Sequence, residues 1–195
     1  MSAAGRVCTG FSKPYIAAYA AAGTTITYSN GTLLARGVSV SIEPETASDD
    51  NIFYADNVAA ESVGGTFTGG TVTLEVDGLL DAARKLILGL PAAAADGFTA
   101  YGDDQSIPYV GIGFVARFMS DGVTSYVPII LAKCRFNEPG LDAATQEGEI
   151  DWQTEELEAA ILRDDSANHV WKYMGAGQTT EAAAEAKIKT KFNIT

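Results

Sequence analysis

Apolar and polar residues alternate one by one in several short stretches of this chain, and a period of two puts successive side chains on opposite faces of a β-strand. In Gly37-Val38-Ser39-Val40-Ser41-Ile42-Glu43 the apolar face is Val38, Val40 and Ile42, with Ser39, Ser41 and Glu43 opposite. Thr71-Val72-Thr73-Leu74-Glu75-Val76-Asp77 repeats the scheme, with Val72, Leu74 and Val76 against Thr71, Thr73, Glu75 and Asp77. A third copy, Glu147-Gly148-Glu149-Ile150-Asp151-Trp152-Gln153-Thr154-Glu155, predicts a strand with one almost wholly acidic face. Leu157, Ala159 and Ile161 alternate in turn, so 155–162 is read as strand, with a bulge near Glu155 or Glu156 absorbing a one-residue phase slip.

Two longer apolar runs, 109–119 and 125–136, flank Ser120-Asp121-Gly122, whose Asp-Gly dipeptide suits the positive-φ positions of a hairpin turn. Bulky residues at both parities predict a central antiparallel pair covered on both sides, with Pro128 marking a bulge or an unpaired edge. A helix is predicted over 79–88, with Asp77 as N-cap, a stripe of Leu80, Ala83, Leu86 and Ile87, and Gly89 and Pro91 as its stop. The alanines of 91–97 read as loop. The last element, 180–191, opens on a capping-type threonine and closes on Lys187, Lys189 and Lys191, which complement the negative end of a helix dipole. The polar, glycine-punctuated segment 45–70 is long for a connection, and its Phe53 and Tyr54 are candidates for contact with a neighbouring subunit. Residues 1–12 show no periodicity and read as an arm.

A chain of 195 residues buries roughly 70% of the surface its unfolded form exposes, so one domain with its own core, spanning 1–195, is the expectation. Thirteen Lys+Arg against 25 Asp+Glu give a net charge of -12, which argues against a protein that grips nucleic acid through clustered cations. Cys8 and Cys134 have no metal-clip or redox spacing and are expected as free thiols. No stretch has the apolar length of a membrane helix and the N-terminus lacks a signal-type apolar region, so no membrane partner is expected.

The inventory for catalysis is thin, and no enzymatic activity, cofactor or metal is expected. His169 is the single histidine and has no matching nucleophile; a loop or strand-end role is the plainer reading. The pairs Asp49-Asp50, Asp103-Asp104 and Asp164-Asp165 lack the alternating spacing of a calcium loop. Gly64-Gly65 and Gly69-Gly70 precede a strand and so do not form a phosphate cradle. The acidic strand faces stand out, because like charges at alternating positions repel and need water or partners. They are either solvated surface or the wall of a water-filled channel, which strands from several copies in a ring can close.

The order of these segments resembles the major tail proteins of long, non-contractile-tailed bacteriophages. The likeness runs over most of the chain: Thr24-Thr25-Ile26-Thr27-Tyr28, Gly37-Val38-Ser39-Val40-Ser41-Ile42-Glu43-Pro44-Glu45, Phe53-Tyr54-Ala55-Asp56-Asn57 and Gly70-Thr71-Val72-Thr73-Leu74-Glu75-Val76 before a short helix. It continues through the 109–136 hairpin, Thr145-Gln146-Glu147-Gly148-Glu149-Ile150 and a tail with Trp171. The resemblance implies a mainly β subunit, a tail-tube-type sandwich or barrel with one short flanking helix, an extended inter-ring loop (45–70) and terminal arms (1–12 and 166–195). Its implied role is a structural virion protein whose hexameric rings stack into the tail tube and conduct DNA at ejection. Its implied partners are further copies of itself, tape measure, and tail terminator or tip proteins, with DNA passing unbound. Under this reading Glu43, Glu75, Glu147, Glu149 and Asp151 face the lumen. Two alternatives accompany it: the inner-tube subunit of a contractile injection or secretion system, and a soluble ligand-binding β-sandwich.

Overall fold

The computed structural model describes residues 5–47, 51–55, 58–63, 65–103, 105–141, 148 and 153–194, with backbone alone for 51–55 and 58–63. Strands far outweigh helices among the described residues, so the fold is mainly β. The strands are β1 (Val7–Ala22), β2 (Thr25–Leu33), β3 (Gly37–Thr46), β4 (Asn51–Ala55), β5 (Val58–Val63), β6 (Phe67–Val76), β7 (Val110–Ser120), β8 (Val123–Phe136), β9 (Glu155–Leu162) and β10 (Lys172–Met174). The helices are α1 (Asp81–Leu88) and α2 (Glu181–Lys191). One antiparallel sheet runs in the order β2-β1-β7-β8-β9-β6-β3, and β4 and β5 form a separate hairpin. β8 pairs with β7 along its length on one side; on the other it meets β10 at 129–131 and β9 at 133–136.

The sheet curls until β3 returns against β1, where the Phe11 ring lies on Gly37 so closely that a Cβ there would overlap it. The enclosed space is the main core. It holds Val72, Leu74 and Val76 of β6, Leu157, Ala159 and Ile161 of β9, Ile112 and Phe114 of β7, Leu131 and Phe136 of β8, and Ala83, Ile87 and Leu88 of α1. Burying each Leu, Ile or Phe contributes about 1.5–3 kcal/mol, so the alternating strands carry most of the driving force. A second cluster lies on the outer face of β1, β7 and β8, where α2 sets Ala184, Ile188 and Phe192 on Tyr15, Ala17, Tyr28, Val115 and Ile130. Gly111 and Gly113 make this docking possible: a Cβ on Gly113 would stand 2.6 Å from Ile188 Cγ2 and 2.9 Å from the Phe192 ring. The central pair is thus covered on both sides, as its two-faced apolar pattern requires.

Local signals agree with these elements at several points. Asp121 and Gly122 both take positive φ, 48° and 76°, as a type I′ hairpin demands. Gly89 ends α1 in the left-handed region, and the Thr180 side chain caps α2 by accepting from Ala183 N at 3.2 Å. Pro128 sits in an unbroken register with β7, and its nitrogen faces the gap between β10 and the Tyr126–Gln178 bridge, so the missing N–H leaves no ladder bond unmade.

Other expectations are corrected. Asp77 does not cap α1: its carboxylate accepts from Arg36 N at 2.9 Å and pairs with the guanidinium, and the helix starts after Leu80 without a side-chain cap. No bulge interrupts β9 beside β6, whose register runs unbroken from Gly70↔Ile161 to Val76↔Glu155. Val38 is half exposed at a bulge in β3 and leaves the apolar face to Val40 and Ile42. Residues 7–12, read as arm, are the first half of β1 and pair with β7. Within 45–70, β3 reaches Thr46, β6 begins at Phe67, and β4 and β5 pair as a separate hairpin. The chain after Asp165 folds back as β10 and α2 on its own sheet.

Candidate functional site

β6 and β9 bury every second side chain and β3 partly buries Val40 and Ile42, which leaves the intervening ones on the opposite face. Register sets these in three rows: Ser39–Glu75–Glu156, Ser41–Thr73–Glu158 and Glu43–Thr71–Ala160. Four carboxylates, four hydroxyls and one methyl share this surface, and no described helix or strand packs on it. Arg135, paired with Ala160, marks its border at β8. Glu75 and Glu156 stand directly opposite each other, an arrangement that costs stability in a sheet. Glu75 is held by Ser39 Oγ, which donates at 3.1 Å, and by Thr154 Oγ1 at 2.7 Å. Asn137 Nδ2 donates to Glu158 Oε1 at 3.0 Å. Among the described residues none of the four carboxylates has an ion-pair partner, so the face presents uncompensated negative charge.

The structure thus brings Glu43 and Glu75 onto one open surface, as their alternation predicts. Glu147, Glu149 and Asp151 lie outside the described residues. Glu155, grouped with them in sequence, turns the other way: it follows the phase of Leu157, meets Arg84 at 2.7 Å and accepts from Leu79 N at 3.1 Å, tying β9 to the start of α1. Glu156 and Glu158 are the members that sequence reasoning missed. The signal was present, since the inward alternation of Leu157, Ala159 and Ile161 places Glu156 and Glu158 outward. Phe53 and Tyr54 lie in β4, opposite Glu61 and Ala59 of β5.

The other polar residues singled out by sequence have structural work. Asp164 is buried, 1% exposed, and organises the loop before β10: its Oδ1 accepts from Val170 N at 2.8 Å and from Ser166 N at 3.1 Å, and Oδ2 from Tyr173 Oη at 3.3 Å. His169 takes a left-handed φ of 49° in that loop, with Nδ1 3.3 Å from the Asp164 carbonyl oxygen. Asp165 faces Lys133 at 2.8 Å and accepts from Tyr19 Oη at 2.7 Å; these partners hold its carboxyl below the usual range. Burial, reinforced by the bond to Asp165, pushes the Tyr19 phenol up to about 12. Cys8 is an exposed thiol and Cys134 a buried one, whose ionisation burial pushes up. Among the described residues no three His, Cys, Asp or Glu converge to hold a metal, and no helix is long and apolar enough to cross a membrane. No family model matches the chain, and no curated protein matches it.

Proposed function

We propose that this chain is a tail-tube subunit: a structural protein whose copies close into rings, stack, and enclose a lumen through which DNA passes. The observation that carries the reading is the face of β3, β6 and β9 on which no described element packs, where four carboxylates and four hydroxyls alternate with an apolar inner face. An isolated subunit gains nothing from opposing Glu75 and Glu156, whereas a channel wall does. DNA phosphates meeting such a wall are repelled over a Debye length of about 8–10 Å, and the clustered cations that would arrest the duplex are lacking. The hydroxyls keep the wall wetted. β2 and β3 end the strand path, and the parts of their edges that no described strand pairs are where neighbouring copies would continue the sheet.

The test is electron microscopy of the purified chain at rising concentration. Rings or tubes with a central channel are the expected result. A cysteine introduced at Ser41 in a Cys8→Ser background locates the face: in tubes with closed ends it should react with a small maleimide and stay shielded from a bulky one. Equal labelling by both reagents would place the face outside and overturn the assignment.

A further inference from the structure

β10 leaves an edge open beside a cationic groove. Its ladder is with β8 alone. Trp171 O accepts from Ala132 N at 2.9 Å and Gly175 N donates to Pro128 O at 2.8 Å, so the odd positions of this segment bond to β8. Lys172 and Met174 turn their N–H and C=O groups the other way, where no described strand meets them. Gly175-Ala176-Gly177 follow, with no bulk to hold a neighbouring strand off. Between β10 and α2 lies an open groove of about 290 Å³, floored by Pro128, Ile130, Tyr173 and Met174 and rimmed by Lys187 and Lys191. Met174 is 58% exposed, and the Lys191 ammonium lies 4.4 Å from the centre of the Tyr173 ring. Lys172 adds a third cation, its ammonium 4.6 Å from the Trp171 ring. Lys189 is committed to Glu185 at 2.8 Å, but among the described residues none of Lys172, Lys187 and Lys191 pairs with a carboxylate.

We propose that this edge and groove bind an extended acidic segment of a different protein, added to β10 as a further strand. The backbone groups of Lys172 and Met174 supply the ladder bonds, an apolar side chain of the segment lies on the groove floor, and its carboxylates meet the lysines. Three cations without carboxylate partners, in a chain of net charge -12, select that sign of partner and turn a basic strand away. An open trough of this size does not enclose a small molecule, whose sites are typically clefts of roughly 300–1,000 Å³ that bury most of the ligand. A peptide needs less, because its backbone is held at the strand edge. That the partner is not another copy follows from the tube reading, on which this proposal rests. The groove opens on the outward side of the β1, β7 and β8 layer, across the main core from the acidic face of β3, β6 and β9. With the acidic face lining the lumen, the groove faces the exterior of the tube, away from the copies beside, above and below.

The experiment titrates the full chain with a blocked peptide of alternating Glu and Val and follows backbone amides by NMR. The peptide should shift the amides of 172–175 and slow hydrogen exchange at Lys172 and Met174. A peptide with Lys in place of Glu, and the Glu–Val peptide with alternate amides N-methylated, should not bind. Lys187→Glu/Lys191→Glu should weaken binding about tenfold while leaving the urea midpoint unchanged. Binding that survives N-methylation, or that shifts amides elsewhere, overturns the added strand, and no binding at millimolar peptide overturns the docking site. Met174→Cys in a Cys8→Ser background then places the groove: in assembled tubes it should react equally with a small and a bulky maleimide. A cysteine shielded in tubes makes the groove a contact between copies, which overturns the foreign partner and leaves the tube reading standing. A chain that binds the peptide yet never assembles overturns the tube reading alone.

Discussion

Asp164 shows how much one buried carboxylate can hold. Its oxygens satisfy two backbone N–H groups, a serine hydroxyl and a tyrosine hydroxyl. Asp164→Ala leaves those donors without an acceptor, and a loss of about 3 kcal/mol is expected in urea unfolding, with Asp164→Asn milder. Glu185 on α2 makes a pH prediction. Lys189, then Tyr15, which donates at 2.6 Å, hold its carboxyl below the ordinary 4.5. A carboxyl depressed by folding contributes stability that is fully present above the unfolded value and is lost as pH falls through the folded one. Asp165 has the same sign. Near-ultraviolet circular dichroism should therefore show tyrosine packing loosen below about pH 4, and Glu185→Gln should remove most of the α2 part of that change. The Glu185–Lys189 pair is a local i,i+4 spacing on α2, but the Tyr15 partnership was not legible in sequence, because Glu185 and Tyr15 are 170 positions apart.

At the scale of elements, alternation placed β3, β6 and β9 and divided their faces, and the Asp-Gly dipeptide placed the β7–β8 turn. The failures occur where tertiary partners overrule local pattern. Asp77 has the chemistry of a cap but is taken by Arg36, and β1 lacks a pattern at 7–12 because its bulges at Cys8/Gly10 and Ser12/Tyr15 break the period of two. The docking of α2 was equally hidden, since glycines in a strand read as weakness until a helix is seen resting on them. Gly113→Val should push Ile188 and Phe192 off the sheet and cost about 1–3 kcal/mol, with Gly113→Ala intermediate, measured by urea midpoint. The opposed pair Glu75–Glu156 gives the reverse sign. Glu156→Lys should stabilise the subunit by about 0.5–1 kcal/mol, which would mark this face as one where folding was not the criterion for sequence choice.

For the whole molecule, the net charge of -12 argues against a protein that grips DNA, and the proposed reading is of one that lets DNA pass. Four of the 13 cations fall in 172–191, and four of the acids, Glu43, Glu75, Glu156 and Glu158, share the β3–β6–β9 face. If that face lines a lumen, Glu75→Lys/Glu156→Lys assemblies should form normally but bind a short DNA duplex, with affinity falling steeply as salt rises; wild-type tubes should not retain it. The sequence by itself determined the mainly β class, the two faces of each regular strand and the surplus of negative charge, because periodicity and composition are local and additive quantities. Only the tertiary structure decided which strands share a face, that Glu156 and Glu158 join Glu43 and Glu75 while Glu155 turns to Arg84, and that a lysine-rimmed groove opens beside α2. Those depend on register and on contacts between distant segments, which a one-residue shift in pairing would reverse.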